Sequence, residues 1–245
     1  MTDVQREKMG RGLALFDFDG TLIPWDTQVL FADFVLKREP LRRLYLPLFA
    51  SFLPCVGILG DEGMKRVFLS YLWMTEREQL EAWVSEFVEE RIPRDCFPEL
   101  LERLEAHREA GHLTVMASAS PEFYVREVGR ALGFDLAFGT PVEIDERVGL
   151  FPDLKNHKGE EKVRRLSALL GPPAGKYWPR SHGYTDSRAD LPMMRHCEKG
   201  TVVNPSTKLQ EEARSAGWEV VRTELPWTGK ADKSRQLLGF LLGKG

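Results

Sequence analysis

Asp17 and Asp19 stand one residue apart in "FDFDGTL", where an apolar run stops, and Asp186 and Asp190 stand close together in "YTDSRADLPMM". Two carboxylates about 4 Å apart repel by roughly 4 kcal/mol at an effective dielectric near 20, so three or four of them in one crevice need a cation. No His or Cys falls at metal-ligand spacing beside them, and oxygen ligands alone favour a hard ion. Mg2+ is the natural choice, because it accepts a few carboxylates and keeps waters for a phosphate. Ser118, closing "LTVMAS", would converge on the same crevice, and the set reads as a site for Mg2+ and phosphate.

These residues meet only if the intervening elements bring them together. Leu13 to Phe16 reads as a short buried strand that Gly20 turns. "LTVMAS" (Leu113 to Ser118) reads as a second strand, with Ser120 placed to cap a helix that Pro121 begins. "TVVNP" and "WEVV" (Trp218 to Val221) are further strands, and the one before "YTDS" is a poor strand because of Pro179, Arg180 and His182. Between the strands lie helices. The region from Val29 to about Ile92 runs helical, and within it Leu80, Trp83, Val84, Phe87 and Val88 form one apolar stripe, with Thr75 and Glu78 as a capping box. A helix from Pro98 ends at Gly111, another covers about 159–170 with Val163, Leu166, Leu169 and Leu170 inward, and a third covers about 206–216. Val142, Ile144, Val148 and Leu150 around "DERVG" suggest a hairpin. Alternating strands and helices predict an α/β fold, a Rossmann-like three-layer parallel sheet, with ligands outside the carboxyl ends of the strands.

Bulk composition excludes several classes. The chain of 245 residues carries 34 basic and 37 acidic residues, a net charge of −3 that gives no sign of a nucleic-acid partner. Cys55, Cys96 and Cys197 are far apart and form no CxxC pair, which fits a reducing compartment. The polar N-terminus lacks an apolar signal core, so a cytoplasmic protein is expected. There is no GxxxxGK[ST] and no GxGxxG after a strand, which disfavours P-loop and dinucleotide enzymes. The histidines are scattered, and His107, His182 and His196 read as structural.

In order and spacing, "DFDGTL", the strand ending at Ser118, the "GEEKV" lysine and "YTDSRADLPMM" resemble the four motifs of the haloacid dehalogenase superfamily. The likeness is to the branch that contains phosphoserine phosphatase and phosphatidylglycerophosphatase C. The resemblance implies that Asp17 is a nucleophile forming an aspartyl phosphate and Asp19 the general acid and base. It implies phosphate contacts from Ser118, Ala119, Gly20 and Lys158, and Mg2+ held by Asp17, the Asp19 carbonyl and Asp186, with Asp190 as a further ligand or as support behind them. Lys162 rather than Lys158 is the expected charge-neutralising lysine, since Leu166 and Leu169 place it in phase with the buried helix face and the family's GxxKV pattern agrees. A dehalogenase has no alkoxide to protonate, so Asp19 points to phosphoryl chemistry.

In the same superfamily an insertion after the first strand is a helical C1-type cap. The expected division is therefore a catalytic core of 1–26 and 95–245 with a cap of 27–94. The cap contains a charge-free run, Leu44 to Leu59, flanked by Arg42, Arg43, Lys65 and Arg66. It is short of the roughly 20 residues that span a bilayer, and Pro47 and Pro54 would break a straight helix. On length it is expected to be a buried helix pair; the alternative is a surface that enters a membrane interface, with a lipid phosphomonoester such as phosphatidylglycerophosphate as substrate. Phosphoserine or histidinol phosphate, a phosphotransferase, and a non-enzymatic phosphate- or phospholipid-binding protein are the competing readings. The oligomeric state is left open.

Overall fold

The structure, a computed structural model, describes residues 1–173 and 175–243. Its centre is a parallel sheet of β1 (Leu13–Phe16), β2 (Leu113–Pro121), β3 (Leu136–Thr140), β4 (Trp178–Thr185), β5 (Cys197–Val203) and β6 (Glu219–Val221), in the order β3-β2-β1-β4-β5-β6. Side chains alternate across the pleat, which divides the core into two layers. Ala14 and Phe16 face α6 (Pro98–Glu109) and α7 (Glu122–Ala131), whereas Leu13 and Leu15 face α8 (Glu160–Leu170) and α9 (Leu191–Met194). Helix α1 (Asp3–Arg11) and α10 (Thr207–Ala216) complete the cover.

The expected weak strand before "YTDS" is an eight-residue central strand. Its irregularity is confined to one end: register shifts between Trp178 and His182, and Arg180 takes φ 53°. Beyond that point His182 to Thr185 pair normally, so Asp186 leaves a well-formed strand. The hairpin expected at Val142 to Leu150 is absent. Val142 bridges Leu154, and Arg147 bridges Glu76 in the helical insertion. That pairing also removes the Thr75–Glu78 capping box: the backbone of Thr75 accepts from Val148, and α5 (Arg77–Arg91) starts at a Glu76 cap with no side-chain bond. Leu169, expected inward, is exposed at the end of α8.

Between β1 and β2 lies a helical insertion: α2 (Thr27–Arg38), α3 (Tyr45–Phe52), α4 (Val56–Phe68) and α5, joined by short 3-10 turns. Helices α2 and α5 bury a shared aromatic seam in which Phe87 meets Phe31 and Phe34 edge-on, and all five residues of the stripe from Leu80 to Val88 are buried. The C-terminal helix α11 (Lys230–Leu241) packs on α2, and Trp25, at the entry to the insertion, meets Trp227 and Phe240.

The expectation of a buried helix pair at Leu44 to Leu59 is overturned, because none of these residues is buried and Ile58 is 89% exposed. By length and composition the helical run Pro40–Leu72 could cross a membrane, with mean hydropathy 1.6 and none of its most apolar stretch buried. Gly60 breaks it at φ 63°. The charged residues after Gly60 make exposed contacts across to the core: Asp61 pairs with Lys158, Glu62 accepts the Asn156 N–H, and Arg66 pairs with Asp153, while Val67 is the buried residue of α4. Val56 and Ile58 are left to face outward.

Candidate active site

The site is built where the three central strands end. Strand β1 delivers Asp17, whose N–H donates to Tyr184 O of β4 at 3.0 Å. The chain then folds back tightly, with Gly20 N–H donating to Ile23 O and Leu22 N–H to Phe18 O. Gly20 is required here: its φ is 78°, and a Cβ would stand 2.1 Å from Asp186 Oδ2. Thr21, fully buried, ties the two strand ends together by donating to Asp17 Oδ2 and accepting the Asp186 N–H.

Lys162, on the first turn of α8, reaches into this crevice. Its Nζ lies 2.7 Å from Asp17 Oδ1 and 2.7 Å from Asp190 Oδ1, and all three side chains are buried. Burial pushes the lysine down, but the two carboxylates outweigh it and hold its pKa above the ordinary value. Asp190 is engaged on both oxygens, since Thr185 donates to Oδ2 at 2.9 Å. Lys158 lies on the rim, exposed and paired with Asp61 across the insertion.

Negative charge exceeds what Lys162 offsets. Burial, then Asp190 and Asp186, push Asp17 well up against the pull of Lys162. Burial, then Asp190, push Asp186 up to about 7. A divalent cation is the group that relieves such crowding. Among the described residues no three His, Cys, Asp or Glu side chains form a ready coordination cage. Two carboxylates and a carbonyl are nevertheless the kind of sparse oxygen set on which Mg2+ retains several waters, so Asp17, Asp186 and the Asp19 backbone fit it.

Asp19 is held apart from this cluster. Its Oδ1 accepts from the Thr27 N–H at 2.7 Å and the Thr27 hydroxyl at 2.6 Å, and Oδ2 accepts from Ser120 at 2.6 Å and Ser118 at 3.4 Å. Ser120 therefore fixes the carboxylate rather than capping α7, which Pro121 precedes without a side-chain bond. Tyr124 supports the group from behind, its hydroxyl 3.1 Å from that of Thr27.

Two further residues carry roles that motif reading missed. His157 Nδ1 lies 2.9 Å from Ser118 O, which steadies the end of β2; burial pushes its pKa down to about 4. Its place beside the "GEEKV" lysine was the available signal. Lys65, from α4, donates to Ala119 O at 2.5 Å and Asn156 Oδ1 at 2.7 Å, and burial brings it down to about 8. Asp17, Asp19, Lys162, Asp186, Asp190, Ala119 and Lys158 all line one cavity of about 340 Å3. Ser118 stands behind its wall, fully buried.

Comparison with known proteins agrees with this geometry. The chain is 27% identical over 228 residues to a histidinol-phosphatase of Neisseria meningitidis, covering 86% of this chain and 98% of that one. A Bordetella pertussis protein of unknown function superposes with a TM-score of 0.71 at 28% identity, over 86% of this chain and 98% of its own. The probable phosphoserine phosphatase of Vibrio cholerae shares the fold, with a TM-score of 0.64 at 18% identity over 95% of this chain and 64% of its own. Residues 14–195 match the sequence pattern of the haloacid dehalogenase-like hydrolases, and the chain belongs to that family of enzymes.

Proposed function

We propose that the chain is a Mg2+-dependent phosphomonoester phosphatase working through an aspartyl phosphate on Asp17. The observation that carries this reading is the buried lysine between two carboxylates: Lys162 points Asp17 at the cavity and supplies positive charge where phosphoryl oxygens would sit. Asp17 would attack phosphorus, and Asp19 would protonate the departing oxygen and then take a proton from the water that splits the intermediate. Asp190 would serve by holding Lys162, Ala119 and Lys158 from the cavity lining would border the phosphate position, and Gly20 and Ser118 would shape it from behind. Asp17, Asp186 and the Asp19 carbonyl would hold Mg2+, whose contribution is to neutralise charge on the phosphoryl group.

In this reading residues 27–94 are a cap over a core of 1–26 and 95–245. The favoured substrate is a lipid phosphomonoester, phosphatidylglycerophosphate above others, met by a cytoplasmic protein at the membrane face. Support comes from the charge-free segment Leu44 to Leu59, which exposes its apolar side chains. A soluble ester is the second reading, favoured by the histidinol-phosphatase relative. The test is phosphate release, with and without Mg2+, from phosphatidylglycerophosphate in mixed micelles beside histidinol phosphate and phosphoserine in solution, with Asp17→Asn as control. Preference for the micellar lipid is expected. Preference for a soluble ester would replace it, and no Asp17-dependent release would overturn the phosphatase reading.

A further inference from the structure

The catalytic cavity does not end at the carboxylates. It continues, through a neck bordered by Asp26, Gln28, Lys65 and Lys158, into a second cavity of about 450 Å3 between the insertion and the core. Beyond the neck one wall is apolar: Phe49 from α3, Met64 and Phe68 one turn apart on α4, Val29 from α2, and Leu241 from the C-terminal helix, while Asp61 and Asn156 border the same cavity with polar groups. Phe49 and Phe68 meet edge-on at 5.2 Å. The way therefore leads from the anion site through a polar neck to a chamber with an apolar wall.

We infer that this second cavity is the subsite for an aliphatic chain on the alcohol side of the phosphate ester. The inference rests on the lipid-phosphate reading and names the residues that would select such a substrate. Lys65 stands at the neck with two of its three N–H bonds directed to Ala119 O and Asn156 Oδ1, leaving a donor for an ester or hydroxyl oxygen. Past it, Met64, Phe68 and Leu241 offer dispersion contacts that suit methylenes. Continuity favours this occupant: the chamber shares its neck with the phosphate position, so a group covalently attached to the phosphate can reach it. Phe49 belongs to the exposed segment, so a chain too long for the chamber emerges beside the apolar surface of α3 and α4.

The experiment is a series of n-alkyl phosphates from ethyl to octyl, each below its micelle concentration, with kcat/KM plotted against chain length. A rise is expected, of up to about fourfold for each methylene that becomes fully buried. Met64→Gln and Leu241→Gln, on opposite walls, are expected to flatten it. The slope is read within each variant, so a general loss of active protein cancels. A flat series in a wild type that still releases phosphate in an Asp17-dependent way would overturn the subsite and leave the phosphatase reading standing. A steep series unchanged in both variants would overturn the assignment to these walls while keeping the aliphatic preference. Absence of Asp17-dependent release from every ester would overturn both readings together.

Discussion

Lys162 concentrates the chemistry and the strain of the site in one side chain. Removing it leaves Asp17 and Asp190 facing each other in a buried crevice, and breaking a buried pair in this way costs about 3–5 kcal/mol. Lys162→Met is expected to lower both the urea midpoint and kcat, the latter by roughly 10²–10³-fold as for loss of a charge-stabilising donor. Asp190→Asn keeps the shape but loosens the lysine, so kcat should fall while the fold remains cooperative by circular dichroism. Asp19→Asn is expected to reduce kcat by roughly 10²–10⁴-fold on alkyl esters. The effect should be smaller in the nitrophenol burst from p-nitrophenyl phosphate, whose leaving group needs no proton. The grouping of Asp17, Asp19, Asp186 and Asp190 was legible in the sequence because several carboxylates brought to neighbouring strand ends repel one another unless a cation joins them. Ser120, Thr27, Lys65 and His157 were not, because a hydroxyl, an amine or a ring acquires its role from the tertiary register that brings it beside another element.

At the scale of elements, backbone geometry sets the tolerances. Gly20→Ala combines a left-handed φ with a Cβ 2.1 Å from Asp186 Oδ2, so the Asp186 carboxylate must move. Activity is expected to fall much further than melting temperature, which paired assays and thermal melts would show. Gly129, where α7 crosses β3, leaves room for nothing, since a Cβ there would lie 2.1 Å from that of Ala137. Gly129→Ala is expected to cost about 1–3 kcal/mol in urea unfolding by overpacking. The sheet was legible from alternating apolar runs, and β4 was underrated because Pro179 falls where pairing is already irregular. The hairpin misreading has the opposite cause: Val142 and Val148 do have strand partners, but these are Leu154 and the edge of the insertion rather than each other. For α3 and α4, a charge-free run gives no sign of whether anything covers it, and here none of Leu44 to Leu59 is buried while Val67 is.

The whole molecule contains a second polar cluster, remote in role from the carboxylates. His107 bonds His112 and Tyr184, while His182 stacks on Tyr184 and bonds Thr201. Burial pushes His107 and His182 down to about 4, His107 also feeling His182, His112 and Arg103, and His182 feeling Arg103 and Lys199 against Glu219. The unfolded chain takes up protons near pH 6.5 that the folded chain refuses until about 4, so stability should fall across that window as pH drops. Urea midpoints between pH 7 and 4 would show this, and His107→Gln with His182→Gln should flatten the slope. Strand order has a consequence of another kind, for how the protein is made. Strand β1 is made well before its neighbours β2 and β4, and Lys162, Asp186 and Asp190 follow Asp17 by 145 residues or more. At about 5–20 residues per second, Asp17 waits on the order of ten seconds or more for its partners during synthesis. Until Asp190 has been made, Lys162 lacks one of the two carboxylates that hold it.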